Sequence, residues 1–430
     1  MARDMRPDVL VCGGGLAGAM AAVAAARQGA RVLLVERYGF LGGNATGGAV
    51  AQFNSWQTAA GRTVVAGLGR EVVERLQAYG AAAAHEVFVM STGHRMDRIE
   101  YAPEVLKLVL DDMLEQAGVQ LLLHASVLDV QAPQRRVQAV RVLTKSGVLA
   151  IRPRVVVDGS GDVDVLYRAG ARFLALEAGE ALQPATMMFR FGPIDWERFG
   201  ALTADALQAL ARQGHATGEL ARAALHAARD PSSRDAWFNI SRLGIDATDA
   251  FALSRAEVEG RRQAWRAAGY LRRAVAGCEA GRLQAFATQV GVRETRRVWG
   301  EHVLSAQELL QPAVFEDGIA AGAYPIDIHP ATGGELLYTP LGEDHAYAIP
   351  YRSLIPLGVD NALVAGRGVS ASHAAQAAIR VMTISMALGQ AAGTAAALAC
   401  EAGGGDAGAV RLVDPARLRA ALRAQGAVLL

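Results

Sequence analysis

The first forty residues carry two kinds of hydrophobic pattern. Residues 8–12, DVLVC, and 30–36, ARVLLVE, are short unbroken apolar runs of the kind a strand buried on both faces needs. Between them LAGAMAAVAAARQ has the length and small apolar side chains of a buried helix, and Gly29 follows as its stop. The pattern predicts a βαβ unit with parallel strands. A secretory leader shares the outline of a basic start, an apolar run and small residues. Gly13, Gly14 and Gly15 interrupt that run, and a strand pattern follows directly, so the βαβ unit accounts for more of the stretch.

The same grammar returns twice. Residues 154–171, RVVVDGSGDVDVLYRAGA, predict a strand ending at Asp158, a glycine turn and a helix. Residues 361–399 predict a strand at ALVAG and a long helix at VMTISMALGQAAGTAAALA. Residues 381–400 carry no charge and have the length of a bilayer span. They are mostly alanine with Gln390 and several hydroxyls, so the expectation is a buried helix, not a membrane span; Gly389 and Gly393 give it a small face for another backbone. In the middle of the chain, PATMMFRFGP predicts a strand opening a separate sheet, and LSRAEVEGRRQAWRAAGYLRRAV a polar helix.

Composition narrows the class. With 430 residues, 52% of them hydrophobic, and a formal charge of +1, the chain can bury a large core in two domains. It has no basic run on which a nucleic acid would dock. Cys12, Cys278 and Cys400 are scattered without CxxC spacing. That excludes a disulfide framework, a structural zinc site and a cysteine-ligated cluster, and leaves small buried side chains in a reducing cytoplasm.

The chemistry begins at the first turn. Gly13, Gly15 and Gly18 stand in GxGxxG register: the first permits the bend, the second admits a pyrophosphate, and the third lets helix and strand pack closely. Phosphates would then meet the free N–H groups at the helix start. Glu36, about twenty residues on, is placed to accept hydrogen bonds from the ribose hydroxyls of an adenosine moiety. A second glycine-bearing strand end, DGSGD, suits a cofactor that spans the sheet. The start of the long C-terminal helix can face the pyrimidine edge of a flavin, where negative charge collects on reduction.

GGGLAG with Glu36, LGGNATGG, DGSGD, GVRETRRVWGEHVLS, YPIDIHP and NALVAGRGVSASHAA…IRVMTISMALGQAAGTAA together resemble the FAD-dependent oxidoreductases of the glutathione-reductase superfamily. The closer likeness is to the fumarate reductase and succinate dehydrogenase flavoproteins and the flavin-carrying part of heterodisulfide reductase. The resemblance implies an α/β fold: a discontinuous Rossmann-like FAD-binding domain with an inserted α+β substrate domain. The expected segments are 1–60, 100–175 and 350–430 for FAD, 61–99 as a loop-rich excursion near the flavin, and 176–349 as the substrate or cap domain.

By position, the resemblance assigns Gly13, Gly15, Leu16, Ala17 and Gly18 to the pyrophosphate loop, Glu36 to the ribose and Arg37 to its side. Gly42, Gly43 and Thr46 match the loop passing the flavin end, and Val127 the adenine side. Gly161 and Asp162 match the second glycine signature; Gly366, Arg367, Arg380, Val381 and Met382 match the segment beside the isoalloxazine ring. The cysteine clusters of heterodisulfide reductases are absent, and GFLGGNATGG has no histidine of the kind that attaches FAD in succinate dehydrogenase. FAD is therefore expected to be non-covalent.

Candidates for the proton and the substrate lie mostly in the insert. Asp327 and His329 in YPIDIHP are two apart, hence on one face of an extended segment, where the carboxylate would hold the ring and raise its pKa. Arg293 could bind a substrate carboxylate or pair with Glu294. His329 could act as acid or base or cap a turn. His373 could serve catalysis or support it from behind, and Tyr351 could serve catalysis or packing. A metal at Asp327 and His329 has no third ligand in sight. The expectation is hydride transfer between flavin N5 and a small polar substrate, a carboxylate being one candidate class, in a cytoplasmic enzyme with an unknown electron donor or acceptor. A homo-oligomer is left open. The alternative is an electron-transfer flavoprotein that docks to a redox partner.

Overall fold

A computed structural model describes residues 5–89, 94–311, 313–331, 336–401 and 408–430. The βαβ unit forms as β1 (Val9–Cys12), α1 (Leu16–Arg27) and β2 (Val32–Val35), with Gly29 at φ +88° after the helix. It joins β3 (Gln120–Leu122), β4 (Val155–Asp158) and β5 (Ala362–Val364) in one sheet of order β5-β4-β1-β2-β3, every pair parallel. The fold is a Rossmann-like α/β fold.

Register then decides where ligands can go. Cys12 lies opposite both Val35 and Asp158, and Asp158 lies opposite Val364. Four strand ends are thus level, and the GGG turn, Glu36, GSG and AGR all leave the sheet at one edge. This is the carboxyl edge where open parallel sheets bind ligands.

The long apolar helix, α4 (Met382–Glu401), is buried along most of its length and packs on α1. A Cβ at Gly389 would lie 2.1 Å from the Ala17 carbonyl oxygen, and one at Gly393 2.0 Å from that of Ala21. Only glycine at both positions lets these two backbones meet. Among the described residues α4 is the one helix long and apolar enough to cross a bilayer, and it is a core helix of this fold.

Part of residues 176–349 forms its own apolar cluster around an antiparallel sheet. Its strands run Ala227–Arg229, Ala236–Phe238, Phe189–Gly192, Arg282–Phe286 in spatial order. Phe189, Phe191, Phe238 and Leu271 are buried there, the last from α2 (Ala250–Ala274). Residues 61–99 are more regular than the loop-rich excursion expected. They contain a helix, Leu68–Ala78, and two paired strands, Glu86–Val89 and Arg95–Glu100. The helix buries Val72, Val73 and Leu76, an amphipathic spacing that the expectation overlooked.

Candidate functional site

Gly13 sits at φ +99°, and a Cβ there would strike the Gly159 backbone at 2.6 Å; one at Gly18 would sit 1.9 Å from the Gly13 oxygen. Those two glycines are required by the protein's own packing. Gly15 differs, because a Cβ would meet nothing nearer than 3.9 Å. Its bare face leaves the start of α1 open, and that helix has no side-chain cap and no acidic residue in its first turn. An uncapped N-terminus behind a bare glycine is an anion cradle.

Gly13, Gly15, Leu16, Ala17, Glu36, Arg37, Gly42, Gly43, Gly161, Gly366, Arg367, Arg380 and Met382 line one cleft over this edge. Glu36 accepts from Gly14 N at 2.6 Å and Tyr38 N at 2.9 Å, so each oxygen keeps a lone pair for a ligand. Gly42 and Gly43 have positive φ, and Gly42 N donates to Gly14 O at 2.8 Å, which stitches the second glycine loop to the first. Among the described residues, Arg367 Nη1 and Arg380 Nε are buried without a hydrogen-bond partner, although both residues line the cleft. Orphaned donors and an open helix start lining one cleft fit a long ligand with a diphosphate and a polar ring.

Other expected residues stand just behind the cleft. Gly18 is packed under the turn. Thr46 props the second loop by donating to Leu41 O at 2.5 Å. Asp162 receives Arg367 at 2.9 Å and Thr295 at 2.9 Å, so it orients the arginine. Val381 precedes α4, its carbonyl taking the Ser385 N–H at 2.9 Å. Val127 is half-buried in the strand Ser126–Gln131 and does not line the cleft. That strand begins beside Glu36, whose carbonyl accepts from Ala125 N at 2.9 Å. Tyr38, Asn44, Ser160, Gln289 and Ser385 also line the cleft and were not anticipated. Gln289 comes from the insert, where nothing in the local pattern tells it from other polar residues; its N–H reaches Gly47 O at 3.1 Å.

Arg380 connects the cleft to the insert, donating to the Asp327 carbonyl at 3.3 Å. The strand Ile326–Ile328 does bring Asp327 and His329 to one face, Oδ2 and Nε2 being 3.4 Å apart. Burial opposes ionisation of Asp327, but His329, Arg380 and a 2.9 Å bond from Tyr324 together hold it well below the usual carboxylate range. The expectation that Asp327 would raise the pKa of His329 is overturned in the balance. Burial and the charge of Arg293 outweigh the carboxylate and bring the imidazole down to about 4.

Arg293 is not in a helix and does not pair with Glu294; its guanidinium donates to Pro184 O at 2.6 Å and Thr186 Oγ1 at 2.7 Å. Burial, with repulsion from Arg380 and Arg222, lowers it to about 9. Glu294 instead holds His373 Nδ1 at 2.9 Å and Arg297 at 3.3 Å in a buried network. His373, which opens α3 (His373–Ile379), therefore stands behind the site and not in the cleft. Tyr351 is a correction: its hydroxyl is fully buried and donates to Val410 O at 2.8 Å, so it packs away from both His329 and the cleft.

One cation and a histidine near Asp327 escaped the sequence reading. Arg222 is lowered to about 10, by burial and by Arg242, and His226 to about 4, by burial and by Arg222, Arg98 and Arg293. They lie in an alanine- and arginine-rich stretch, LARAALHAARD, where no spacing singles them out.

The chain resembles solved flavoproteins at low identity. A geranylgeranyl bacteriochlorophyll reductase-like protein from Thermoplasma acidophilum is 12% identical, with a TM-score of 0.50 over 99% of this chain and 88% of that one. The flavin-dependent brominase Bmp2 is 13% identical, with a TM-score of 0.47 over 98% of this chain and 83% of that one. The first of these likenesses speaks to the fold alone. No curated protein sequence matches significantly. The model of the FAD dependent oxidoreductase family matches residues 8–422. With that match across almost its whole length, and a cleft built for a dinucleotide at its sheet edge, this chain is a member of the FAD dependent oxidoreductase family, an enzyme with FAD as its cofactor.

Proposed function

We propose that the enzyme moves hydride equivalents between FAD and a small carboxylate-bearing substrate held against His329 by Arg293 and Arg380. FAD, when bound, supplies N5 as the hydride acceptor or donor. Arg367 and Arg380, with their orphaned donors, would hold the ring end, Glu36 the ribose, and the start of α1 the diphosphate; the attachment is non-covalent. The resemblance to the fumarate reductase and succinate dehydrogenase flavoproteins supports hydride transfer with a carboxylate-bearing substrate, in a cytoplasmic setting.

The observation that carries it is the continuity from the cleft, through Arg380, to the cluster of Asp327, His329 and Arg293. At neutral pH the imidazole is uncharged, so it takes a proton from a substrate hydroxyl or amine as the adjoining C–H is oxidised. Nε2, if protonated, faces Asp327 and leaves Nδ1 as the base. Arg293, anchored by Pro184 and Thr186, fixes the carboxylate. The test is anaerobic mixing of the yellow protein with hydroxy acids, amino acids, polyols and simple amines. Acids should bleach the flavin band; bleaching by uncharged polyols or amines alone would overturn the reading. A protein bleached only by another protein would point to the electron-transfer alternative.

A further inference from the structure

The outward face of α2 carries chemistry that the flavin site does not use. Its inner face buries Ala256, Gly260, Ala264, Ala267 and Leu271 in the insert. A Cβ at Gly260 would lie 2.7 Å from that of Met187, so the helix is seated too closely to roll. On the opposite side Phe251, Val258 and Trp265 recur every seven residues, which is about two turns, and form one line about 20 Å long. They stay 77%, 43% and 66% exposed, an apolar row on the surface that folding alone does not require. Phe286, from the strand Arg282–Phe286, joins Val258 and Trp265 around a shallow hollow.

The charges beside that line have one sign. At about 100° per residue, Arg255, Arg261, Arg262, Arg266, Arg272 and Arg273 all fall within about 80° of it, spread over both flanks. Glu257 and Glu259 fall farther round, at the edges of the face. Six arginines against two glutamates leave the stretch Ala250–Ala274 with a formal charge of +4, in a chain whose total is +1. Glu257 pairs with Arg261 at 3.3 Å, Glu259 with Arg266 at 3.1 Å and with Arg262 at 3.9 Å, and Glu219 with Arg273. These are solvated pairs, weak enough to exchange for another anion.

An apolar ridge with arginine on both flanks suits a broad anionic surface. A second copy paired through α2 would set arginine against arginine, and a single partner helix beside the ridge would leave the arginines of the far flank unused. A bilayer meets both flanks at once. The three apolar side chains enter the headgroup boundary, where aromatic rings settle, and the guanidiniums reach the phosphates and acidic headgroups. We infer that α2 is a peripheral docking face for an anionic membrane, lying on the bilayer without crossing it. The inference does not depend on the substrate reading.

Co-sedimentation of the FAD-loaded protein with vesicles tests it, using phosphatidylcholine alone or with phosphatidylserine at about a 2:1 ratio. The anionic vesicles should bind at least about 10-fold more tightly at low salt, and high salt should erase most of the difference. Brominated acyl chains should quench the parent's fluorescence but spare Trp265→Phe, which still binds. Phe251→Ser/Trp265→Ser and Arg255→Gln/Arg262→Gln should each weaken binding about 10-fold or more, with FAD content and melting temperature unchanged because all four side chains face solvent. Absence of binding to either vesicle, or equal binding by the parent and both double variants, would overturn the inference. So would a dimer of the parent, seen by sedimentation equilibrium and abolished by Trp265→Ser, which would give the face to a second copy. A helical peptide with a leucine stripe flanked by glutamates, bound through α2 when vesicles are not, would make it a protein site instead.

Discussion

In the proposed reaction His329 meets its substrate as a neutral imidazole, because burial and Arg293 act on it more strongly than Asp327 does. Reduction of the flavin by substrate should therefore stay level from about pH 8 down to about pH 5, where an ordinary histidine base would already be falling through 6.5. His329→Gln should slow that half-reaction by about 10² to 10⁴, with the visible spectrum intact. Rapid mixing across pH measures both; a parent rate in the variant would make His329 structural. Burial lowers Arg293 as well, but its guanidinium stays charged across that pH window, so the substrate's apparent affinity should hold there too. At the other end of the cleft, Glu36→Gln keeps the shape but weakens its acceptor bonds, and FAD affinity should drop about tenfold or more. FAD retained by that variant through dilute gel filtration would count against the ribose role.

At the scale of elements, the contact between α1 and α4 links packing to cofactor. Gly389 lies against Ala17, and Ala17 lines the cleft. Gly389→Ala drives a methyl into backbone that cannot yield, costing about 1–3 kcal/mol and displacing the glycine turn. Its melting temperature and FAD affinity should fall together. Gly269→Ala in α2 is the contrast. The new methyl would meet only the flexible end of Arg273, at 3.3 Å, so stability should hold or rise by up to about 1 kcal/mol. Thermal melts of the two variants, with and without added FAD, separate the effects.

For the whole molecule, two half-buried histidines set a pH limit. His226 and His329 both titrate near 4 when folded and near 6.5 when unfolded, so the unfolded chain takes up protons first on acidification. Their contribution is complete above 6.5 and is lost as pH falls from 6.5 to 4. Asp327, with its lowered pKa, adds its own loss only below the ordinary carboxylate range. The melting temperature should drop on the order of 10 °C across that window. The double variant His226→Gln/His329→Gln should flatten the drop; an equally steep profile would place the acid sensitivity elsewhere.

Local sequence determined the βαβ unit, the two further strand-turn-helix segments and the buried character of α4. Those features depend on periodicity, glycine conformation and strand ends, which neighbouring residues decide among themselves. It also marked most of the cleft, because the backbone approach at Gly15 and the charge at Glu36 are local requirements. Tertiary structure alone decided which charges share a volume. Arg222, Arg242, Arg293 and Arg380 are spread over nearly 160 positions, and only the docking of the insert on the parallel-sheet unit sets them around Asp327. The pKa of His329 depends on burial and on those distant cations as well as on the carboxylate two residues away. Tyr351 makes the same point from the opposite side, since its partner at Val410 comes from a segment 59 positions away. Electrostatic environment is a property of space, and residues remote along the chain supply most of it.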